Sequence, residues 1–137
     1  MRRKKWIHVE WNKANDIKER VLHLVESLNL DWLDKSSIHF FRSNKSTSRA
    51  YARIWGLAKV WQLALKRKPA YIIEVLSERF DRLSKREQDK VLLHELAHIP
   101  KNFSGSLLPH TRRGIKNFHD NVEELFAQYI RNSRNRI

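Results

Sequence analysis

Hydrophobic positions in this chain recur at two different periods, and the switches between them divide it into elements. Ile17, Val21, Leu24, Val25 and Leu28 fall at i, i+4, i+7, i+8 and i+11. That is the stripe of an amphipathic helix, with Asp16 and Glu19 as its N-terminal cap and an end near Asn29. Ahead of it, Trp6 to Trp11 reads either as a short extended piece or as a lead-in to that helix. Ser37 to Arg42 is rich in β-branched and aromatic residues between polar ones, which predicts a strand followed by a loop over Ser43 to Ser48. Ala50 to Trp55 alternates small or apolar side chains with larger ones and predicts a second strand, after which Gly56 permits a turn. Leu57 to Leu65 is ambiguous between a continuing strand and a short helix, and Pro69 closes it.

Tyr71 to Leu76 carries the strongest strand pattern in the chain. It is expected either as a core strand or as one whose edge is offered to an extended peptide. Ser84-Lys85-Arg86-Glu87 has the form of a capping box. The helix it opens runs through Val91, Leu92 and Leu93 to Ile99 and is stopped by Pro100. Lys101 to Pro109 reads as a loop in which Gly105 supplies a tight turn. Val122, Leu125, Phe126, Tyr129 and Ile130 then form the stripe of a last helix begun at Asp120. The elements together predict an α+β fold, with a small mixed or antiparallel sheet of about three strands packed on helices.

Composition narrows the chemistry. With 137 residues the chain is one domain's worth. A single domain over 1–137 is expected, with a basic N-terminal segment at 1–11 and a basic tail at 131–137. The absence of cysteine excludes disulfides and thiolate-bound metal, so any metal must rest on His, Asp or Glu. No apolar run approaches the ~20 residues that span a bilayer. Met1-Arg2-Arg3-Lys4-Lys5-Trp6 is not followed by a signal-peptide core. A soluble cytoplasmic protein with no membrane partner is therefore expected.

The formal net charge of +13 favours acidic partners such as nucleic acid or an anionic membrane surface. The basic residues are nevertheless scattered, in short runs at Arg2 to Lys5, Lys66 to Lys68, Arg112-Arg113 and Arg131 to Arg136. No nucleic-acid-binding motif accompanies them, so a solvated basic surface is the simpler reading and nucleic acid stays open as a partner. Nothing in the pattern specifies an oligomer.

The chemistry concentrates in His94-Glu95-Leu96-Ala97-His98. Residues four apart on a helix share a face, so His94 and His98 can present two imidazoles to one Zn²⁺. Glu95 lies about 100° around the helix from His94, placed to take a proton from an activated water as general base. Composition alone produces such a pentad in roughly one chain in fifty, so its context matters. A catalytic zinc site needs a third protein ligand. His110 is the first choice, because residues 99–109 give the chain ample length to turn back beneath the metal. His119 and Glu123 or Glu124 are the alternatives: His119 and Glu123 flank the last apolar stripe one turn apart, where His119 also reads as an ordinary partly buried histidine. Tyr51, Tyr71, Arg112 and Arg113 are candidate donors to an oxyanion.

The run His94-Glu95-Leu96-Ala97-His98-Ile99-Pro100, continuing through Phe103-Ser104-Gly105 to Pro109-His110, resembles the predicted archaeal and phage metallopeptidases, the "putative phage metallopeptidase" group. The similarity extends upstream through Ala52-Arg53-Ile54-Trp55-Gly56, Trp61-Gln62 and Tyr71-Ile72-Ile73-Glu74-Val75, covering roughly residues 15 to 130. The resemblance implies a minimal zincin fold and a peptidase acting on a protein or peptide substrate. More distantly the chain is similar to SprT-like proteases, which implies action on nucleic-acid-bound proteins. It departs from the metzincin pattern: Lys101 stands where that pattern has glycine, Ser104 where it has the third histidine, and Met1 is the only methionine. A third-ligand glutamate of the gluzincin kind keeps Glu123 and Glu124 in play. The expected function is a zinc metallopeptidase. A basic zinc-containing nucleic-acid-binding module without catalysis is the alternative, and Glu95 argues against it, since a structural site needs no base.

Overall fold

The strand Tyr71–Leu76 has hydrogen-bonded neighbours on both sides. In the computed structural model, which describes residues 8–110 and 118–134, the elements run in order. They are β1 (Glu10–Lys13), α1 (Asn15–Ser27), β2 (Ile38–Asn44), β3 (Ala52–Gly56), α2 (Lys59–Leu65), β4 (Tyr71–Leu76), α3 (Ser77–Phe80), α4 (Lys85–Leu96) and α5 (Phe118–Arg134). The strands form one sheet ordered β1-β2-β4-β3, antiparallel at its two outer pairings and parallel between β2 and β4. The fold is α+β around a mixed sheet.

Among the described residues the sheet has four strands where the pattern predicted about three. The addition is β1, whose four residues are all exposed and carry no apolar alternation to announce it. Only its pairing marks it, with Trp11 opposite Ser43 and Lys13 opposite Phe41. That pairing also carries β2 into the expected loop as far as Asn44. Two helix starts differ as well. The cap position of α1 is Ala14 without a side-chain bond, and Asp16 instead receives the Arg42 guanidinium at 2.8 Å. Asp120 lies inside the first turn of α5, which begins at Phe118. The ambiguous stretch resolves as the helix α2, ended by Lys66 in the left-handed conformation.

The core lies between one sheet face and the helices. Ile17, Val21, Leu24 and Val25 of α1 meet Ile38 and Phe40 of β2, Ile73 and Val75 of β4, and Leu92, Leu93 and Leu96 of α4. Arg20 locks α1 to α4 through Gln88 and Asp89, at 2.6 Å each. Asn132 of α5 donates to the Ser27 carbonyl at 2.6 Å and so satisfies an orphan acceptor at the end of α1. The capping box that opens α4 is formed as the sequence predicts, with Ser84 and Glu87 exchanging side-chain-to-backbone bonds.

The internal position of β4 corrects one expectation. With β2 on one side and β3 on the other, it has no edge to offer a peptide, and among the described residues the sheet's two edges are β1 and β3. A buried carboxylate reinforces the backbone ladder that pairs β3 with β4. Glu74 of β4 is fully buried and accepts from Ser43 Oγ (2.6 Å), Arg53 Nη2 (2.9 Å) and Trp55 Nε1 (2.9 Å). Burial pushes its pKa up, and the donors of Arg53, Ser43 and Trp55 outweigh that and hold it below the ordinary value. A carboxylate depressed in the folded state contributes stability above its unfolded pKa and loses it as the pH falls through the folded one. Glu74→Gln is expected to cost about 2–3 kcal/mol at pH 7, with the deficit shrinking below about pH 4. Urea unfolding of both proteins at the two pH values checks this.

Candidate metal centre

Leu92, Leu93 and Leu96 bury one face of α4, and that orientation decides where the residues between them point. His94 is left half-buried on the flank, while Glu95 keeps only 8% of its surface exposed. The regular helix ends at Leu96. His98 therefore sits just past it, in a tighter turn in which its N–H donates to the Glu95 carbonyl at 3.1 Å. The two imidazoles still face one another, with ring centroids 5.1 Å apart.

His98 is also the anchor for the loop that follows. Its Nδ1 lies 2.6 Å from the Leu108 carbonyl, and Leu108 N–H donates to the His98 carbonyl at 2.7 Å. A carbonyl only accepts, so Nδ1 carries the proton and Nε2 keeps its lone pair. Two residues beyond this latch comes His110, whose Nε2 approaches His94 Nε2 to 2.9 Å. Among the described residues, His94, His98 and His110 form the one group of metal-ligating side chains whose ligand atoms all lie within 4.8 Å of one another. Phe118 closes one side of the cluster, stacked on His98 at 4.3 Å and edge-on to the other two rings.

The alternatives lie elsewhere. His119 is exposed, its side chain at 79%, and sits 3.8 Å from Glu123, which is itself ion-paired to Lys90. Glu124 belongs to α5 and to no ligand group among the described residues. Arg112 and Arg113 lie outside the described residues. Tyr71 is committed to the loop: its hydroxyl donates to the Ser106 carbonyl and accepts from Gly105 N–H, both at 2.8 Å. Tyr51 is exposed and lines the same cleft as His94 and Glu95.

Backbone contact completes the loop's seating. A Cβ on Gly56 would fall 2.1 Å from the Gly105 carbonyl oxygen, and one on Gly105, at φ +94°, would fall 2.3 Å from that of Leu57. The two glycines let the loop lie directly against the end of β3. Gln62 of α2 then joins them by donating to the Leu57 and Ser104 carbonyls at 2.8 Å each. The pattern reading missed Gln62, Leu108 and Phe118. Gln62 alone left a trace, as a polar residue inside an apolar run.

Electrostatics favour a cation over protons here. Burial, reinforced by His98, His110 and His119, lowers the His94 pKa to about 4. Burial also lowers that of His98, against the opposing bond to Leu108. Both shifts favour the neutral ring, the form in which an imidazole can ligate a metal. Burial raises Glu95 to about 8 without a cation beside it, and a divalent cation on the imidazoles would oppose that rise and favour the carboxylate. Three imidazole nitrogens without thiolate, beside a buried carboxyl, fit a borderline divalent cation such as Zn²⁺.

Two clefts, of about 530 and 540 Å³, share Ala52, His94 and Glu95 in their walls and form one groove past the imidazoles. The edge of β3 borders it. Leu76 N–H donates to the Tyr51 carbonyl and Leu57 N–H to the Ala70 carbonyl. In this antiparallel register the odd-numbered residues of β3 bond to β4, and the N–H and C=O groups of Ala52 and Ile54 point outward.

Removing His94, His98 or His110 singly is expected to strip the protein of metal, while His119→Ala and Glu123→Ala retain about one ion per chain. Elemental analysis after purification decides between the two sets. Gly105→Ala should lower metal affinity by about tenfold or more through strain in the loop, with His110 itself unaltered. A competition titration with a chelating dye measures it.

Comparison with known proteins gives one result. A family model described as putative phage metallopeptidase matches residues 9–135. No curated protein and no solved structure matches the chain.

Proposed function

The chain belongs to the putative phage metallopeptidase family, and on that premise we propose that it hydrolyses peptide bonds at a Zn²⁺ held by His94, His98 and His110, with Glu95 as the general base. The observation that carries this reading is the meeting of three imidazole nitrogens within 4.8 Å beside one buried carboxyl. Bound zinc supplies Lewis acidity, polarising the scissile carbonyl and bringing the pKa of water down to about 7.

The remaining steps belong to the chain's own groups. His98 is held in one tautomer by Leu108, so its ring does not rotate out of the site. An extended substrate adds a strand to the outward N–H and C=O groups of Ala52 and Ile54, which lays its backbone past His94 and Glu95. The Glu95 carboxylate takes a proton from the attacking water and delivers it to the leaving amine. Its burial, which raises its affinity for that proton, suits it to hold the proton between the two transfers. Tyr51 is the donor assigned to the developing oxyanion, since it is exposed and lines the groove while the Tyr71 hydroxyl is committed to the loop.

Glu95→Gln separates catalysis from binding. Cleavage of an unfolded protein substrate should fall by about a thousandfold or more while zinc content stays near one per chain. A variant that lost only stability and cleaved at the wild-type rate would sink the enzyme reading.

A further inference from the structure

Among the described residues, Gln62 is the one buried side chain of helix α2. It is bonded to Leu57 and Ser104, while every other residue of Lys59–Leu65 faces solvent. The exposed positions are apolar to an unusual degree: Val60 is 69% exposed, Leu63 68%, Trp61 57% and Leu65 54%. An aliphatic and aromatic knob on the surface of a chain this polar marks a contact site rather than chance exposure.

Its surroundings say what kind. Lys59 precedes the apolar residues and Lys66, Arg67 and Lys68 follow them, all exposed. No acidic residue occurs anywhere between Asp34 and Glu74. Of these four cations Lys68 bonds to Asp34 at 3.1 Å. The knob is therefore flanked by positive charge at both ends.

Three partners meet that description unequally. A second copy of the chain would press two cationic borders together, each on a protein of formal net charge +13. Nucleic acid would satisfy the cations and could stack a base on Trp61, yet the larger aliphatic part of the knob, Val60, Leu63 and Leu65, offers phosphates and bases nothing to bond or stack on. An anionic lipid surface suits both halves: leucine, valine and tryptophan enter the headgroup–acyl boundary while lysine and arginine remain at the phosphates. A helix lying in that boundary needs no spanning segment, and no helix among the described residues is long and apolar enough to cross a membrane.

We infer that α2 is a docking element for anionic membrane surfaces, with Val60, Trp61, Leu63 and Leu65 inserting and Lys59, Lys66 and Arg67 pairing with lipid phosphates. Gln62 braces the loop that carries His110, so docking through α2 sets the groove close to the bilayer.

The test is co-sedimentation of the full chain with vesicles of equal parts phosphatidylcholine and phosphatidylglycerol, against pure phosphatidylcholine, at physiological salt. Wild type should sediment with the mixed vesicles only. The double variant Leu63→Ser, Leu65→Ser keeps every charge and should lose about tenfold or more of that binding, with an unchanged circular dichroism spectrum. Equal binding by wild type and variant would show bulk charge at work and overturn the proposal. So would a wild type that ignores vesicles, including one that instead forms a dimer abolished by the same two substitutions.

Discussion

The pair of hydrogen bonds between His98 and Leu108 is the constraint on which the candidate centre depends. One histidine serves as a prospective ligand through Nε2 and as a clamp through Nδ1 and its carbonyl, and the clamp brings His110 within reach of His94. Each such bond contributes about 1 kcal/mol net, and ordering a loop residue costs at least as much. The loop therefore needs its other supports. Tyr71 is bonded to Gly105 and Ser106, Gln62 to Ser104, the Gly56–Gly105 backbones touch, and the Phe103 ring meets Tyr71 edge-on at 4.9 Å. A cation on the three imidazoles would add to this set, so loop order and metal occupancy should rise and fall together.

The groove follows from sheet order. Because β4 lies inside the sheet, its Glu74 can hold Arg53 and Trp55 of β3 from behind, while the N–H and C=O groups of Ala52 and Ile54 point away from β4, beside His94 and Glu95. The fold thus supplies a rigid edge and a buried carboxyl along one line. A loop could not hold both in register as well, since loop backbone lacks the ladder that fixes β3 along Ala52–Gly56.

Charge is distributed with the same economy. Arg20, Arg42, Arg53, Lys45 and Lys90 spend their charge on acidic partners within the fold. Around α2, by contrast, the cations accompany exposed apolar residues, which turns a diffuse basic character into a local one. The net charge is therefore a poor guide to partners until burial and pairing are known.

The amino-acid sequence by itself determined the elements whose causes are local. The α1 stripe, the Ser84–Glu87 box, the bounds of Tyr71–Leu76 and the pairing of His94 with His98 around Glu95 all depend on residues within a turn or two of each other. The features that only the tertiary structure decided are those settled between distant residues. Glu10–Lys13 becomes a strand only because Ile38–Asn44 pairs with it, and the edge beside the imidazoles falls to β3 only through strand order. His110, rather than His119 or Glu123, stands beside the pentad because Tyr71, 35 residues away from Ser106, and Gln62, 42 away from Ser104, hold the loop in place. Spacing along a chain fixes what can meet on one helix face. Which of several reachable side chains arrives from outside is set by backbone bonds and packing that no local pattern encodes.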